Sequence, residues 1–175
     1  MQINEAASML QGDAKLFTKT EQWADLGCGN GTFTIALATL LKSGSIIHAI
    51  DKDQSSLNQI PSLYQSVKIE KKNIDFARTF FSYKNLDGIL MANSLHYVRD
   101  KQILIKDLLS SLKENGIFLI VEYDTEIAVP TWVPYPISFF SLTNLFTDMG
   151  CREIIKLKER KSIFGKMMYS AKIQK

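Results

Sequence analysis

Along the chain, short apolar runs alternate with stretches whose apolar residues recur at helical spacing. Residues 21–26 read as a strand that ends in a glycine-rich turn, and residues 32–41 read as a helix that stops at Ser43-Gly44. A second strand over 45–50 ends in Asp51, followed by a short helix from about Gln54 until Pro61 ends it. Residues 67–72 alternate apolar and polar, which suits a strand near a sheet edge leading into Asn73-Ile74-Asp75-Phe76. A fourth strand spans 86–92, Asp100 is placed to cap a helix through Lys113, and Asn115-Gly116 ends that helix. Residues 116–123 form the most continuous apolar strand. A helix from about Ser138 to Met149 closes at Gly150, and strands over 151–157 and 167–173 join through Gly165. Strands alternating with helices predict an α/β fold, a mostly parallel doubly wound sheet with right-handed crossovers and helices on both faces.

Composition narrows the setting. The 175 residues suit a single domain, and 46% hydrophobic with 22% charged residues is ordinary for a globular chain. No segment approaches the roughly 20 apolar residues needed to span a bilayer, and Met-Gln-Ile-Asn-Glu is not a secretory start, so a cytoplasmic location without membrane association is expected. Cys28 and Cys151 have neither disulfide-framework nor zinc spacing; both are expected as reduced thiols, with no metal site. The net charge of +3 is uneven, because residues 152–175 carry eight Lys or Arg against two Glu. Such an edge can meet RNA phosphates, but a basic terminal hairpin more often serves solubility and blunts a sheet edge, so weak or no nucleic-acid binding is expected.

The sharpest chemical signal is Asp25-Leu26-Gly27-Cys28-Gly29-Asn30-Gly31 between strand and helix. Glycines there allow positive φ and close approach of a ligand, and the following helix offers unpaired N–H groups. Asp51, 20 residues beyond Gly31 at the end of the next strand, is placed to accept hydrogen bonds from ribose hydroxyls. A nicotinamide or flavin dinucleotide fold would place a third glycine at Thr32 or Thr34, and neither register has it.

The Asp-x-Gly-x-Gly-x-Gly pattern resembles motif I of the class I S-adenosylmethionine-dependent methyltransferases, in their small single-domain forms. His48-Ala49-Ile50-Asp51 resembles the family's ribose motif, Ile74-Asp75-Phe76 its adenine motif, and Ala92-Asn93-Ser94-Leu95-His96 its fourth motif. The resemblance implies a Rossmann-like seven-stranded sheet in the order 3-2-1-4-5-7-6, with one antiparallel strand near the C-terminus. It implies S-adenosyl-L-methionine as cofactor, held by Asp25, Gly27, Cys28, Gly29, Asn30, Gly31, Asp51, Lys52, Ile74, Asp75, Phe76 and Asn93. Asp25 would orient the methionine amino group, and Asp75 would accept from the adenine amino group. Residues 1–20 would form an N-terminal helical cap, 21–123 the cofactor-binding core, and 124–175 an acceptor-side segment with a C-terminal hairpin. Trp23 and Ala24 depart from the usual aliphatic residues, and Trp23 is expected as core. Ala92-Asn93-Ser94-Leu95 lacks the Pro-Pro-Tyr sequence of base and glutamine N-methylating enzymes, and neither cysteine follows a proline as in the cytosine-C5 enzymes.

The expected activity is methyl transfer to a small-molecule acceptor; the alternatives are an RNA methyltransferase and a non-catalytic S-adenosylmethionine-binding module. His96 is read as a residue facing the acceptor and its general base, against the plainer reading that His96 and Tyr97 begin the turn into the next helix. Asp75 could equally cap the stretch at Phe76, and Asn93 could be a strand-end turn residue. Glu122 and Asp124 are read as solvated, Phe139 and Phe140 as core, and Trp132 and Tyr135 as either a flap or core.

Overall fold

The computed structural model describes residues 1–12, 16–79, 82–162 and 165–175. The elements are α1 (Ile3–Leu10), β1 (Gln22–Leu26), α2 (Thr32–Leu40), β2 (Ile46–Asp51), α3 (Gln54–Leu57), β3 (Leu63–Tyr64), β4 (Val67–Asn73), β5 (Leu86–Ala92), α4 (Lys101–Ser111), β6 (Leu112–Tyr123), α5 (Phe139–Asp148), β7 (Glu153–Lys161) and β8 (Met167–Gln174). They form an eight-stranded sheet in the order β3-β4-β2-β1-β5-β6-β8-β7. β4, β2, β1, β5 and β6 are mutually parallel, and β8 runs antiparallel to both β6 and β7. Without the two-residue β3 this is the seven-strand order implied by the resemblance. β3 adds an edge strand antiparallel to β4 through a turn at Gln65 and Ser66, both at positive φ.

Period-two alternation explains how the sheet divides two cores. On β6, Leu119 and Val121 face the side covered by α1, α2 and α3, where Trp23, Leu37 and Leu57 pack. Phe118 and Ile120 face the other side with α4 and α5, among Leu108, Leu142 and Phe146. Both faces of the central strands are therefore apolar, as parallel strands require. The crossover from β4 to β5 carries turns and no helix among its described residues.

Several boundaries differ from the sequence reading. α4 ends at Ser111, short of Lys113, because Leu112 already pairs with Leu86 as the start of β6. Three exposed residues, Lys113, Glu114 and Asn115, then shift the register before Gly116 and Ile117 resume the ladder. Asp100 is the N-cap of α4, but its side chain makes no capping bond. Phe140 is 74% exposed, so only Phe139 of that pair packs on the core. Four of the eight basic side chains of the hairpin segment meet neighbouring side chains among the described residues: Lys158 bonds Ser8, Arg160 pairs with Glu5 of α1, Lys172 with Glu153, and Lys156 with Asp124. No helix among the described residues is long and apolar enough to cross a membrane.

Trp23, the largest buried side chain, lies over Gly88 of the adjoining strand; a Cβ there would sit 2.3 Å from the indole ring. Overpacking of this kind costs about 1–3 kcal/mol, so Gly88→Ala is expected to lower the urea midpoint accordingly. The Gly88→Ala/Trp23→Leu pair should be less destabilised than the sum of its single variants. Simple additivity would show that the two side chains do not compete for this space.

Candidate active site

β1 delivers the chain to the glycine-rich turn at the carboxyl edge of the sheet. Gly27 and Cys28 both donate their N–H to the carbonyl of Ile50, at 2.8 and 3.2 Å, so the turn hangs from β2. Gly27 has φ 74°, and a Cβ on it would come within 2.5 Å of Ser94 Cβ. Gly31, at φ 87°, is the N-cap of α2. Beyond Gly29 the space is open, with no atom within 4 Å of a Cβ position.

Asp51 closes the turn from the other side. Its Oδ2 accepts from Gly29 N at 2.8 Å and its Oδ1 from Asp53 N at 2.9 Å. A carboxylate offers about four lone-pair sites, so acceptor capacity remains for a ligand hydroxyl. Asp25 is fully buried under the turn: Thr34 Oγ1 donates to its Oδ2 at 2.6 Å, while Oδ1 has no partner among the described residues. Burial pushes this carboxyl up to about 7; the Thr34 hydroxyl opposes the shift and the Asp51 charge adds to it.

Asn93, immediately after β5, takes φ 54°, donates its N–H to Val121 O at 2.8 Å, and keeps a buried Oδ1 without a partner among the described residues. Ser94 Oγ ties this corner to Leu26 O at 2.6 Å. Asp75 Oδ1 accepts from Ala77 N, so its carboxylate shapes the local turn and also borders the cleft.

Most of the residues named from the sequence converge on two adjoining cavities. One, of about 450 Å³, is lined by Gly27, Asp51, Lys52, Asp75, Phe76 and Asn93. The other, of about 300 Å³, is lined by Asp25, Gly27, Cys28, Gly29, Asn30 and Asn93. Gly27 and Asn93 belong to both. Gly31 sits behind the turn, where its Cβ would meet Ile60, and Ile74 packs on the core while donating to Asp51 O. Burial, and then the charges of Asp25 and Asp51, hold the Cys28 thiol far above its usual value, so it stays protonated. A larger groove of about 820 Å³ continues from the first cavity across Phe76, Arg78 and Tyr97 and reaches Ile103 and Tyr135.

His96 is placed on the single-turn 3-10 helix Leu95–Tyr97, 2% exposed, and is not among the residues lining these cavities; its neighbour Tyr97 lines two of them. Its partner is Glu122, which the sequence reading left solvated. Glu122 is 1% exposed, with Oε2 at 2.7 Å from His96 Nδ1 and Oε1 accepting from His96 N at 3.1 Å. The signal was available in the sequence: Glu122 sits near the end of the most continuous apolar strand, where a charge is buried and therefore needs a partner. Asp124 is also engaged, accepting from Phe139 N at 2.9 Å and pairing with Lys156. Trp132 and Tyr135 belong to the loop after β6; Tyr135 N donates to His96 O at 3.0 Å, and Trp132 meets Tyr123 edge-on.

The fold and this cleft define a class I methyltransferase arrangement, and comparison with known proteins agrees. A family model described as a methyltransferase domain matches residues 17–169. The chain belongs to this family, the S-adenosylmethionine-dependent methyltransferases, and S-adenosylmethionine is its cofactor. Carboxy-S-adenosyl-L-methionine synthase of Sulfurimonas denitrificans is 26% identical over 102 residues, covering 56% of this chain and 43% of that protein. A protein of Invertebrate iridescent virus 6 named as a methyltransferase is 30% identical over 97 residues, covering 53% and 33%. The matched region thus spans less than half the length of these curated relatives. Among solved structures, an S-adenosylmethionine-dependent methyltransferase from Mesorhizobium loti shares the fold at TM-score 0.73 and 14% identity, covering 98% of this chain and 96% of that one. One from Methanosarcina mazei gives TM-score 0.68 and 19% identity, covering 91% and 94%.

The residues present fit that cofactor. Two buried oxygens beside the 300 Å³ cavity, Asp25 Oδ1 and Asn93 Oδ1, have no partner among the described residues and can receive an ammonium group, and the space beyond Gly29 admits a carboxylate at the head of α2. Asp51 and Asp75 border the other cavity, where ribose hydroxyls and an amino-substituted ring would meet acceptors.

Asp25 carries a pH consequence. Its folded-state value of about 7 lies above the ordinary 3.8, so its contribution to stability is fully present below about 3.8 and is lost as pH rises through about 7. Asp25→Asn removes the titrating group, so relative to the variant the wild type should lose up to about 4 kcal/mol between about pH 4 and pH 8. Parallel pH–Tm curves for the two proteins would place the Asp25 titration elsewhere.

Proposed function

We propose that the chain transfers the methyl group of S-adenosylmethionine to a small-molecule acceptor. The observation that carries this reading is the 820 Å³ groove that continues from the cofactor cavity across Tyr97 and Phe76, a volume on the scale of a metabolite site. Its walls combine Phe76, Tyr97, Ile103 and Tyr135 with the charged Arg78 and Lys106. Such a groove suits an acceptor with an apolar body and a few polar groups.

The bound cofactor supplies a methyl group already activated on a sulfonium sulfur. What falls to this chain is to bind, orient and exclude water. Asp51 holds the ribose side while the glycine turn and Asn93 fix the methionine side. Phe76 and Tyr97 border the junction between cofactor cavity and groove. We assign His96 the role of proton acceptor from the methylated group, reached from the groove past Tyr97. Residues 1–175 act in this reading as one cytoplasmic domain, without membrane association, in which the cofactor core and the acceptor-side segment share one sheet and the helical cap packs on its face. Pairing of Lys156, Lys158, Arg160 and Lys172 with neighbouring side chains supports a supporting rather than RNA-binding role for the basic hairpin.

S-adenosylhomocysteine is expected to raise Tm where NAD does not, since ligand at about 100 times its Kd adds roughly 2.7 kcal/mol. Asp51→Ala should weaken that binding, each charge-assisted ribose bond being worth about 1.5 to 3 kcal/mol. An unaffected Asp51→Ala variant, or equal shifts with NAD, would remove the cofactor site from this cleft.

The acceptor class is tested with methyl-labelled S-adenosylmethionine offered in parallel with a low-molecular-weight metabolite extract and with total RNA. Label is expected in small molecules. Label in RNA, with selective binding that survives about 200 mM salt, would replace the small-molecule reading.

A further inference from the structure

A buried ion-pairable couple stands next to the proposed acceptor groove and is not used by cofactor binding. Glu122 gives both carboxylate oxygens to one residue: Oε1 to the backbone N–H of His96 at 3.1 Å and Oε2 to its ring Nδ1 at 2.7 Å. Both side chains are at least 98% buried. The other ring nitrogen, Nε2, is buried with no partner among the described residues. A buried nitrogen left in this way is destabilising unless something meets it.

Resting on the acceptor reading above, we propose that Glu122 is the positioning residue of the methyl transfer. It holds the proton of His96 on Nδ1 and so leaves the lone pair on Nε2, buried beside Tyr97, for an acceptor that reaches it from the groove. The two bonds to one carboxylate fix both the ring's protonation pattern and its orientation. A His held by a carboxylate at one nitrogen becomes a directed base at the other.

The step balances as follows. The acceptor's heteroatom uses its lone pair to form the new bond to the methyl carbon, and the pair of the breaking carbon–sulfur bond stays on sulfur. The proton displaced from the heteroatom passes to His96 Nε2. The resulting imidazolium is stabilised by Glu122 and later returns its proton to water.

The surroundings suit a couple that must keep its charge balance. From α4, Lys101 donates to Val98 O and Tyr135 O at 2.9 and 2.7 Å; burial pulls its ammonium below the usual value, against the opposing pull of Glu122 and Glu126. Tyr97 beside the ring, Tyr123 at the end of β6 and Tyr169 on β8 are pushed up by burial, with the Glu122 charge adding to it, so all three stay protonated near neutrality. The couple is thus faced by one cation and three neutral phenols.

The test combines two variants and two readouts. Nitrogen-15 spectra of the histidine rings, recorded on the full chain with S-adenosylhomocysteine, need no acceptor. They are expected to show His96 protonated at Nδ1 in the wild type and a mixed population in Glu122→Gln. With the small-molecule fraction that accepts label, Glu122→Gln should lower kcat by about 100-fold or more and leave S-adenosylhomocysteine affinity within a few-fold. His96→Asn keeps a donor to Glu122 but has no basic nitrogen; it should fold and bind cofactor normally yet lose turnover to a similar extent. A purely structural couple predicts the opposite, an active His96→Asn. A wild-type His96 protonated at Nε2, or near-full turnover in His96→Asn, overturns the proposal. Absence of label from every small molecule overturns the acceptor reading instead, while the ring spectra still decide the role of Glu122.

Discussion

The site depends on one suspension: the carbonyl of Ile50 accepting from Gly27 and Cys28, with the next carboxylate, Asp51, accepting from Gly29. These bonds convert the parallel pairing of β1 and β2 into a fixed position for the glycine turn. In a parallel pair every strand ends on the same edge, so the last residue of one strand lies beside the first loop residue of its neighbour. Leu26 pairs with Ile50, which leaves Asp51, the last residue of β2, level with Gly27 at the start of the turn. Slippage by one residue would turn Asp25 out of its pocket and put an apolar residue in its place.

The same suspension explains why costly groups are tolerated underneath. Among the described residues, Asp25 is buried with a bond to one carboxyl oxygen and no partner for the other, and Asn93 takes positive φ with an unpartnered amide oxygen. A fold selected only for stability would remove such groups. Both border the 300 Å³ cavity, so they are explained by a ligand that completes their bonding. The Glu122–His96 couple follows the same logic one strand further along the sheet: a carboxylate with two donors, and a ring nitrogen with no partner among the described residues.

Much of this was legible in the sequence because the signals were local. A glycine run between strand and helix, an acid at the end of the next strand and period-two apolar strands each depend on residues close together in the chain. The strand order came through the resemblance, and it survives apart from the short β3. The misread positions depended on distant partners. α4 stops early because Leu112 finds Leu86, 26 positions back by number, and not because of any stop signal at Ser111. Glu122 looked like a strand-end charge because its partner lies on a turn that the sheet alone brings near.

Phe140 and the couple at His96 illustrate the same limit from opposite directions. The sequence assigns Phe139 and Phe140 to the core together, yet at the start of α5 only Phe139 lies on the face that Leu142, Leu145 and Phe146 turn to the sheet. Phe139 takes the inward position against Tyr169, while Phe140 points outward. Local pattern therefore fixes which residues can be buried, and packing decides which are. For charged residues the order reverses: burial of Glu122 is imposed by its strand, and the chain supplies the donors afterwards through a turn that follows another strand. A buried acid in an apolar run is thus informative about its unseen partner. The partner must carry two donors in one place, a demand that a histidine at the head of a tight turn meets with its ring and its own backbone.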